Sequence, residues 1–390
     1  MLQVDGALKI TIFGLTISSS WGNGHATPYR AIVRALQRRG HRVVFYERDE
    51  TYYARRRDFS SCSYCELVLY AAWDEVRRRA LHDASSADVV LVASYCPEGA
   101  RIADEVLALA GPLRVFYDLD TPVTLANLKN GGLDYLRADQ IPAFDLYLSF
   151  TGGRVLDELE QVRGARCARA LYGCVDPDVH TRVAPRAEFA CTLSYMGTYS
   201  PDRQHKLESL FLEPARRLPE AKFLLAGSLY PWGIAWPGNV RIHEHVASGE
   251  HPALYSSSRL TLNLTRDGMA RYGFCPSGRF FEAAACGTPL VSDYFEGLET
   301  FFAPGEEIFL AREAEDVVEA LGASDAELAR MAARASERTL SEHTGDCRAE
   351  QLLAYCEEAR HSLRMQESAR EELEVRSWES GAGSGTSWQF

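Results

Sequence analysis

Two doubly wound α/β domains, each a parallel sheet with helices on both faces, are the fold class that the sequence predicts. Three observations predict it. The chain has 390 residues, and single cores rarely grow past about 250–300 residues. Short apolar runs alternate with amphipathic stretches, as βαβ units require. The alternation lapses over Val175–Arg186, which holds Pro177, Pro185 and mixed polar residues, and resumes near residue 190.

In the first half the apolar runs Ile10–Phe13, Val43–Tyr46, Leu67–Tyr70, Val89–Ala93, Val115–Tyr117 and Leu146–Ser149 read as buried strands. Pro28–Arg39 reads as a helix with Tyr29, Ile32, Val33 and Leu36 on one face. Gly40 follows where a left-handed residue commonly ends a helix. Gly99–Ala110 is a second helix of this kind, closed by Gly111 and Pro112. The second half repeats the pattern with Thr192–Met196, Phe223–Ala226, Leu260–Leu264, Pro289–Val291 and Ile308–Leu310 as strands. Beyond Leu310 the periodicity is helical over Ala314–Leu321, Asp325–Arg338 and Thr344–Met365. Gly and Ser dominate Glu379–Phe390, which is expected to be disordered. The expected division is a first domain over 1–180, a second over 181–345, a helical segment over 346–378 and a tail over 379–390.

Composition excludes several function classes. A formal net charge of −12 argues against nucleic acid as the main partner, because duplex binding draws on clustered Lys and Arg. The clusters Arg55–Arg57 and Arg77–Arg79 read as solvated helix faces. No run approaches the roughly 18 apolar residues of a membrane span. The first residues lack a basic stretch and a small-residue cleavage site, so a cytoplasmic location is expected. Ten cysteines are scattered along the chain, and all are expected to be reduced. Cys62 and Cys65 form one CxxC, but no second pair completes a zinc site, and no metal ligands are expected.

Directly after the first strand comes a loop containing Gly22, Gly24 and His25. Ligands of open parallel sheets bind at the carboxyl ends of strands, so this loop faces the crevice. Its glycines let backbone approach a ligand, and the following helix offers free N–H groups to an anion. On its own, His25 is as readily a residue at a helix start whose ring bonds to backbone.

The stretch GNGHATP…RALQRRGHRVVFYE resembles the Gly-His-x-x-Pro opening of inverting GT-B glycosyltransferases. That resemblance implies that His25 is the general base that deprotonates the acceptor, a task suited to a group titrating near neutral pH. It further implies that an aspartate past a later strand holds the ring. The strand Leu113–Tyr117 is followed by Asp118 and Asp120, and spacing does not choose between them.

The second half carries PSGRFFEAAACGTPLVSD, which resembles the nucleotide-sugar segment of GT-B enzymes. The resemblance implies that Glu282 accepts hydrogen bonds from the donor ribose, work for which a carboxylate is suited as a two-oxygen acceptor. Ser277 opens the helix, where diphosphate oxygens are favoured. Arg279 is a further donor-side candidate, with an ion pair on the helix surface as its plainer role. The longer phrase PSGRFFEAAACGTPLVSDYFEGLETFFAPGEEIFLA, with YDLDTPVTL and FDLYLSFTGG, is most similar to the CgeB-like group, and the likeness covers most of residues 9–311. One departure stands out. Phe274 occupies the position of the first glutamate of the pair that many retaining GT-B enzymes carry, which favours inversion here.

Topology adds Gly197 and Arg203 in the loop after Met196, with Lys206 in reserve, and Arg266 past the strand Leu260–Leu264. Positive charge there would meet the negative charge that develops on a departing nucleotide. No DxD pair is placed for a metal, and the resemblance implies none is needed. The expected ligands are a nucleotide sugar of UDP or TDP type as co-substrate, with no cofactor, and an acceptor bound by Tyr46–Tyr64 and Thr121–Phe144. A nucleotide-sugar epimerase and a non-catalytic nucleotide-binding assembly protein are the alternatives.

Overall fold

The computed structural model describes residues 6–129 and 133–382. Strands β1 (Lys9–Gly14), β2 (Arg42–Arg48), β3 (Glu66–Tyr70), β4 (Val89–Ala93), β5 (Leu113–Asp118), β6 (Leu146–Ser149) and β7 (Ala168–Ala170) form one sheet in the order β3-β2-β1-β4-β5-β6-β7. Strands β8 (Cys191–Met196), β9 (Phe223–Ala226), β10 (Val240–His243), β11 (Ser258–Asn263), β12 (Leu290–Ser292) and β13 (Phe309–Leu310) form the second, ordered β10-β9-β8-β11-β12-β13. Every pairing is parallel; Ile10, for example, lies between Val43 and Val89. Both strand orders reverse beside their first strand, so each sheet has a topological switch point.

The expected strands are all present. The two that the apolar runs did not reveal are β7 and β10. Ala168–Ala170 is too short and too polar to make a run, and Val240–His243 is a half-exposed edge strand. The first helix begins at Ala26, two residues before the expected Pro28, because Asn23 Oδ1 accepts the N–H groups of His25 (3.1 Å) and Ala26 (3.2 Å). Its face of Tyr29, Ile32, Val33 and Leu36 is buried as expected.

Successive strand residues point to opposite faces, and each sheet accordingly has two apolar layers. Ile10 and Ile12 pack on the first helix, while Phe13 packs with Tyr46 and Trp73 on the other side.

The C-terminal helix, Gly345–Ala382, crosses back to the first domain. Its Ala349, Leu352, Cys356 and Ala359 join the layer of Ile10 and Ile12. Gly345 makes the crossing possible, since a Cβ there would stand 2.4 Å from the Ala31 carbonyl oxygen. Arg348, 1% exposed, clamps the crossing by donating to the carbonyls of Tyr172 (3.1 Å) and Gly173 (3.2 Å). The disorder expected from Glu379 does not hold over its first residues, because the C-terminal helix runs on to Ala382, and the rest of that tail lies outside the described residues. Among the described residues no helix is long and apolar enough to cross a membrane.

Candidate active site

The two switch points face each other across a cleft of about 380 Å³. The catalytic and donor-side residues nominated from the sequence line it except Asp118 and the reserve Lys206, whereas no residue of the acceptor segments Tyr46–Tyr64 and Thr121–Phe144 does. The domains also touch at its margins. Arg30 Nη1 donates to Ser248 Oγ (3.1 Å), the rings of Trp21 and His245 meet at a tilt with centroids 4.2 Å apart, and Gly152 N donates to the Phe274 carbonyl (3.0 Å). Phe274 is therefore a contact between domains, with its ring filling the space left by Gly153 and Gly297.

On the first wall, the loop after β1 is shaped by Glu47, which is fully buried. Its carboxylate accepts Thr16 Oγ1 (2.9 Å), Ile17 N (2.9 Å) and Ser18 N (3.0 Å). These bonds fix the chain that leads to Gly22, Gly24 and His25. At Gly22 the backbone is left-handed (φ 64°), which favours glycine, and a Cβ would also displace the exposed Tyr52 hydroxyl, 2.7 Å away. Gly24 faces open space.

The His25 ring stands over Tyr95 with centroids 5.3 Å apart, and its Nε2 is 3.8 Å from Asp120 Oδ2. Tyr95 OH donates to that same oxygen at 3.1 Å. Its backbone is left-handed (φ 61°), an uncommon state for a bulky residue, at the end of β4.

Asp118 has a different role from the one open to it in the sequence. It is wholly buried and accepts hydrogen bonds from Tyr147 OH (2.7 Å), Thr124 Oγ1 (2.9 Å) and Asp120 N (3.1 Å). Burial pushes its carboxyl up to about 6 despite those bonds. It braces the turn that presents Asp120 and does not reach the cleft.

The second wall is built at the ends of β8, β9 and β11 and at the start of the helix Gly278–Ala285. Ser277 caps that helix, its Oγ accepting Arg279 N (3.3 Å). Glu282 is buried; Tyr255 OH donates to its Oε2 (3.3 Å) and His251 Nδ1 lies 3.4 Å from the same atom. Burial alone would raise its carboxyl, but His251, His180 and Arg279 outweigh that and hold it well below the usual carboxylate range.

Arg279 turns inward rather than pairing on the helix surface. Its Nη1 donates to Asn263 Oδ1 (3.0 Å), and its guanidinium sits over the Tyr195 ring at 5.5 Å. Arg203 donates to the Thr198 carbonyl, and burial lowers its pKa, as do the charges of Arg279 and Arg266. Arg266 Nε is 3.5 Å from Asp202 Oδ2. Three guanidiniums thus converge, and among the described residues Arg266 alone of them has a carboxylate partner. Lys206, the reserve, is taken up elsewhere, held by Asp293 (2.9 Å), Asp267 (3.1 Å) and the Thr265 carbonyl (2.7 Å).

Gly197 lines the cleft beside Gly227, a residue the sequence reading passed over although it ends an apolar run as Gly14 does. Glu47, Tyr95, His245 and His251 were also missed. Of these only Glu47 left a local sign, as a charged residue at the end of an otherwise apolar strand. His180, His251 and Glu282 bring candidate ligand atoms within 4.8 Å of one another from three separate segments.

Residues 203–354 match the family model described as glycosyl transferase-like, which takes in Arg203, Arg266, Ser277, Arg279 and Glu282. No curated protein matches the chain. Solved structures share the two-domain arrangement. The sucrose-phosphate synthase of Thermosynechococcus elongatus is 14% identical with TM-score 0.62, covering 93% of this chain and 100% of its own. Anabaena HepE in complex with UDP and glucose is 12% identical with TM-score 0.61, covering 89% and 98%. An alpha-glucosyltransferase in complex with UDP-glucose and DNA containing an abasic site is 15% identical with TM-score 0.67, covering 90% and 100%. The fold is GT-B. In this GT-B chain, the family match falls on the wall that carries Glu282 and the arginines.

Proposed function

We propose that the protein is a glycosyltransferase that moves a sugar from a nucleotide-sugar donor to an acceptor held by the first domain. One observation carries the reading. A histidine–aspartate pair on one wall faces a carboxylate and three guanidiniums on the other, across a cleft of ligand size. The family match over 203–354 and the UDP or UDP-glucose in the HepE and alpha-glucosyltransferase structures support a donor of UDP or TDP type. The net charge of −12 argues against DNA as the acceptor here.

In this mechanism Glu282 accepts hydrogen bonds from the ribose. Arg203, Arg266, Arg279 and the helix start at Ser277 neutralise the diphosphate as it departs, so that no metal is needed for that charge. His25 removes the acceptor proton, and Asp120 stabilises the imidazolium that results. With Phe274 where a retaining enzyme of the common type places a glutamate, the displacement is single and the product inverted. The reading includes a cytoplasmic protein of the CgeB-like group.

The test is a thermal-shift panel with UDP, TDP, GDP, ADP and CDP, run beside Glu282→Ala. A nucleotide at a hundred times its dissociation constant adds about 2.7 kcal/mol of stability. A shift with one base that vanishes in the variant is expected. No shift with any nucleotide would sink the donor site; with the matched donor, NMR of the product's anomeric centre decides inversion.

A further inference from the structure

Three side chains from distant parts of the chain meet behind the second wall. His180 lies in the connection between the domains, His251 opens the helix His251–Ser257, and Glu282 lies in the helix Gly278–Ala285. Their candidate ligand atoms lie within 4.8 Å of one another. His180 is 5% exposed and Glu282 6%.

Hydrogen bonding orients the histidine. His251 Nε2 lies 3.3 Å from the Val246 carbonyl. A carbonyl only accepts, so that nitrogen carries the hydrogen, and Nδ1 holds either a lone pair or the second proton that keeps the Glu282 carboxyl low. Nδ1 faces Glu282 Oε2 at 3.4 Å, and it makes no hydrogen bond there. His180 Nδ1 is likewise buried with no partner. Lone pairs converging on a carboxylate repel unless a cation lies between them. A tetrahedral zinc ion, with bonds of about 2.0–2.1 Å, spaces its ligands about 3.3 Å apart. The His251–Glu282 separation already matches that spacing. An outward N–H bond to a backbone carbonyl is also how metal-binding histidines are commonly held.

We propose that His180, His251 and Glu282 form a binding site for a zinc-class divalent cation, open to the cleft on the side of His251 and Glu282. One consequence rests on the donor reading above. If Glu282 holds the ribose, metal and nucleotide compete for one carboxylate, and zinc inhibits donor binding.

The experiment titrates the chelator-treated full chain with Co²⁺, followed by visible d–d absorption, with Zn²⁺ added to displace it. A tetrahedral spectrum at one cobalt per chain is expected. His180→Ala and His251→Gln, each checked for folding by its melting temperature, are expected to weaken binding at least about tenfold. A wild-type chain without the tetrahedral band overturns the proposal and leaves a proton between His251 and Glu282. Cobalt binding unchanged in both variants overturns it too, as adventitious metal. UDP affinity is then measured with and without Zn²⁺ at about ten times its dissociation constant, where competition by mass action is expected to lower it about tenfold. Should cobalt bind through these residues while UDP affinity stays unmoved by zinc, the metal site stands and the ribose role of Glu282 falls.

Discussion

Asp120 Oδ2 is shared, lying 3.8 Å from His25 Nε2 and accepting the hydroxyl of Tyr95 at 3.1 Å. The ends of β4 and β5 and the start of the first helix are thereby joined at one carboxylate oxygen. Removing the His25 ring leaves the second wall intact. His25→Ala is therefore expected to lower kcat by about 10²–10⁴ with the donor KM little changed. Tyr95→Phe, which loses one hydrogen bond worth roughly 1 kcal/mol, is expected to cost about fivefold. Steady-state kinetics with a matched donor check both, and full activity in His25→Ala removes the base from the mechanism.

The choice of Asp120 over Asp118 shows what linear spacing withholds. Two residues apart, they would share a face in an extended strand. The strand ends at Asp118, however, and the chain turns before Asp120, so one side chain goes under the sheet and the other into the cleft. The grouping on the second wall was legible because its parts are local, with Ser277, Arg279 and Glu282 falling on one short helix and its cap. Buried parallel strands were legible because both their faces are apolar, as in Val89–Ala93. The Glu47 brace and the meeting of His180 with His251 join segments far apart in sequence, and no local pattern announces such pairings.

Glu47 makes a prediction of its own. It accepts four bonds from Thr16, Ile17 and Ser18, the last giving both its N–H and its hydroxyl, in a site closed to water. Glu47→Gln puts an N–H₂ where an acceptor is required, leaving at least one donor unsatisfied at about 1–3 kcal/mol. Because that loop carries His25 and no donor contact, kcat is expected to fall while nucleotide-induced stabilisation persists. Equal loss of both would show that the loop serves the fold alone.

Asp118 gives a pH dependence. Burial raises its carboxyl to about 6 from an ordinary 3.8. Between those values the folded chain holds a proton that the unfolded chain has released, so stability falls as pH rises. The contribution is fully present below about pH 4 and lost through pH 6, a change on the order of 3 kcal/mol. Urea unfolding across pH 4–7 is expected to show wild type losing ground to Asp118→Asn, which does not titrate. A difference between the two that stays flat with pH would contradict a raised Asp118.

The close approach of Gly197 and Gly227 yields the last prediction. A Cβ on Gly227 would stand 2.0 Å from the Gly197 carbonyl oxygen and 2.7 Å from its carbon. These are backbone atoms and cannot rotate away, so the ends of β8 and β9 would have to part. Tyr230 OH, which donates to that oxygen at 2.8 Å, would lose its bond as well. Gly227→Ala is expected to cost about 1–3 kcal/mol of stability and, since both loops line the cleft, to weaken nucleotide binding. Gly233→Ala is the matched control, because nothing lies within 4 Å of its Cβ. Its stability is expected to be unchanged or slightly raised, as the alanine restricts the unfolded chain. If Gly227→Ala binds nucleotide as tightly as Gly233→Ala does, the donor does not depend on the juncture of β8 and β9.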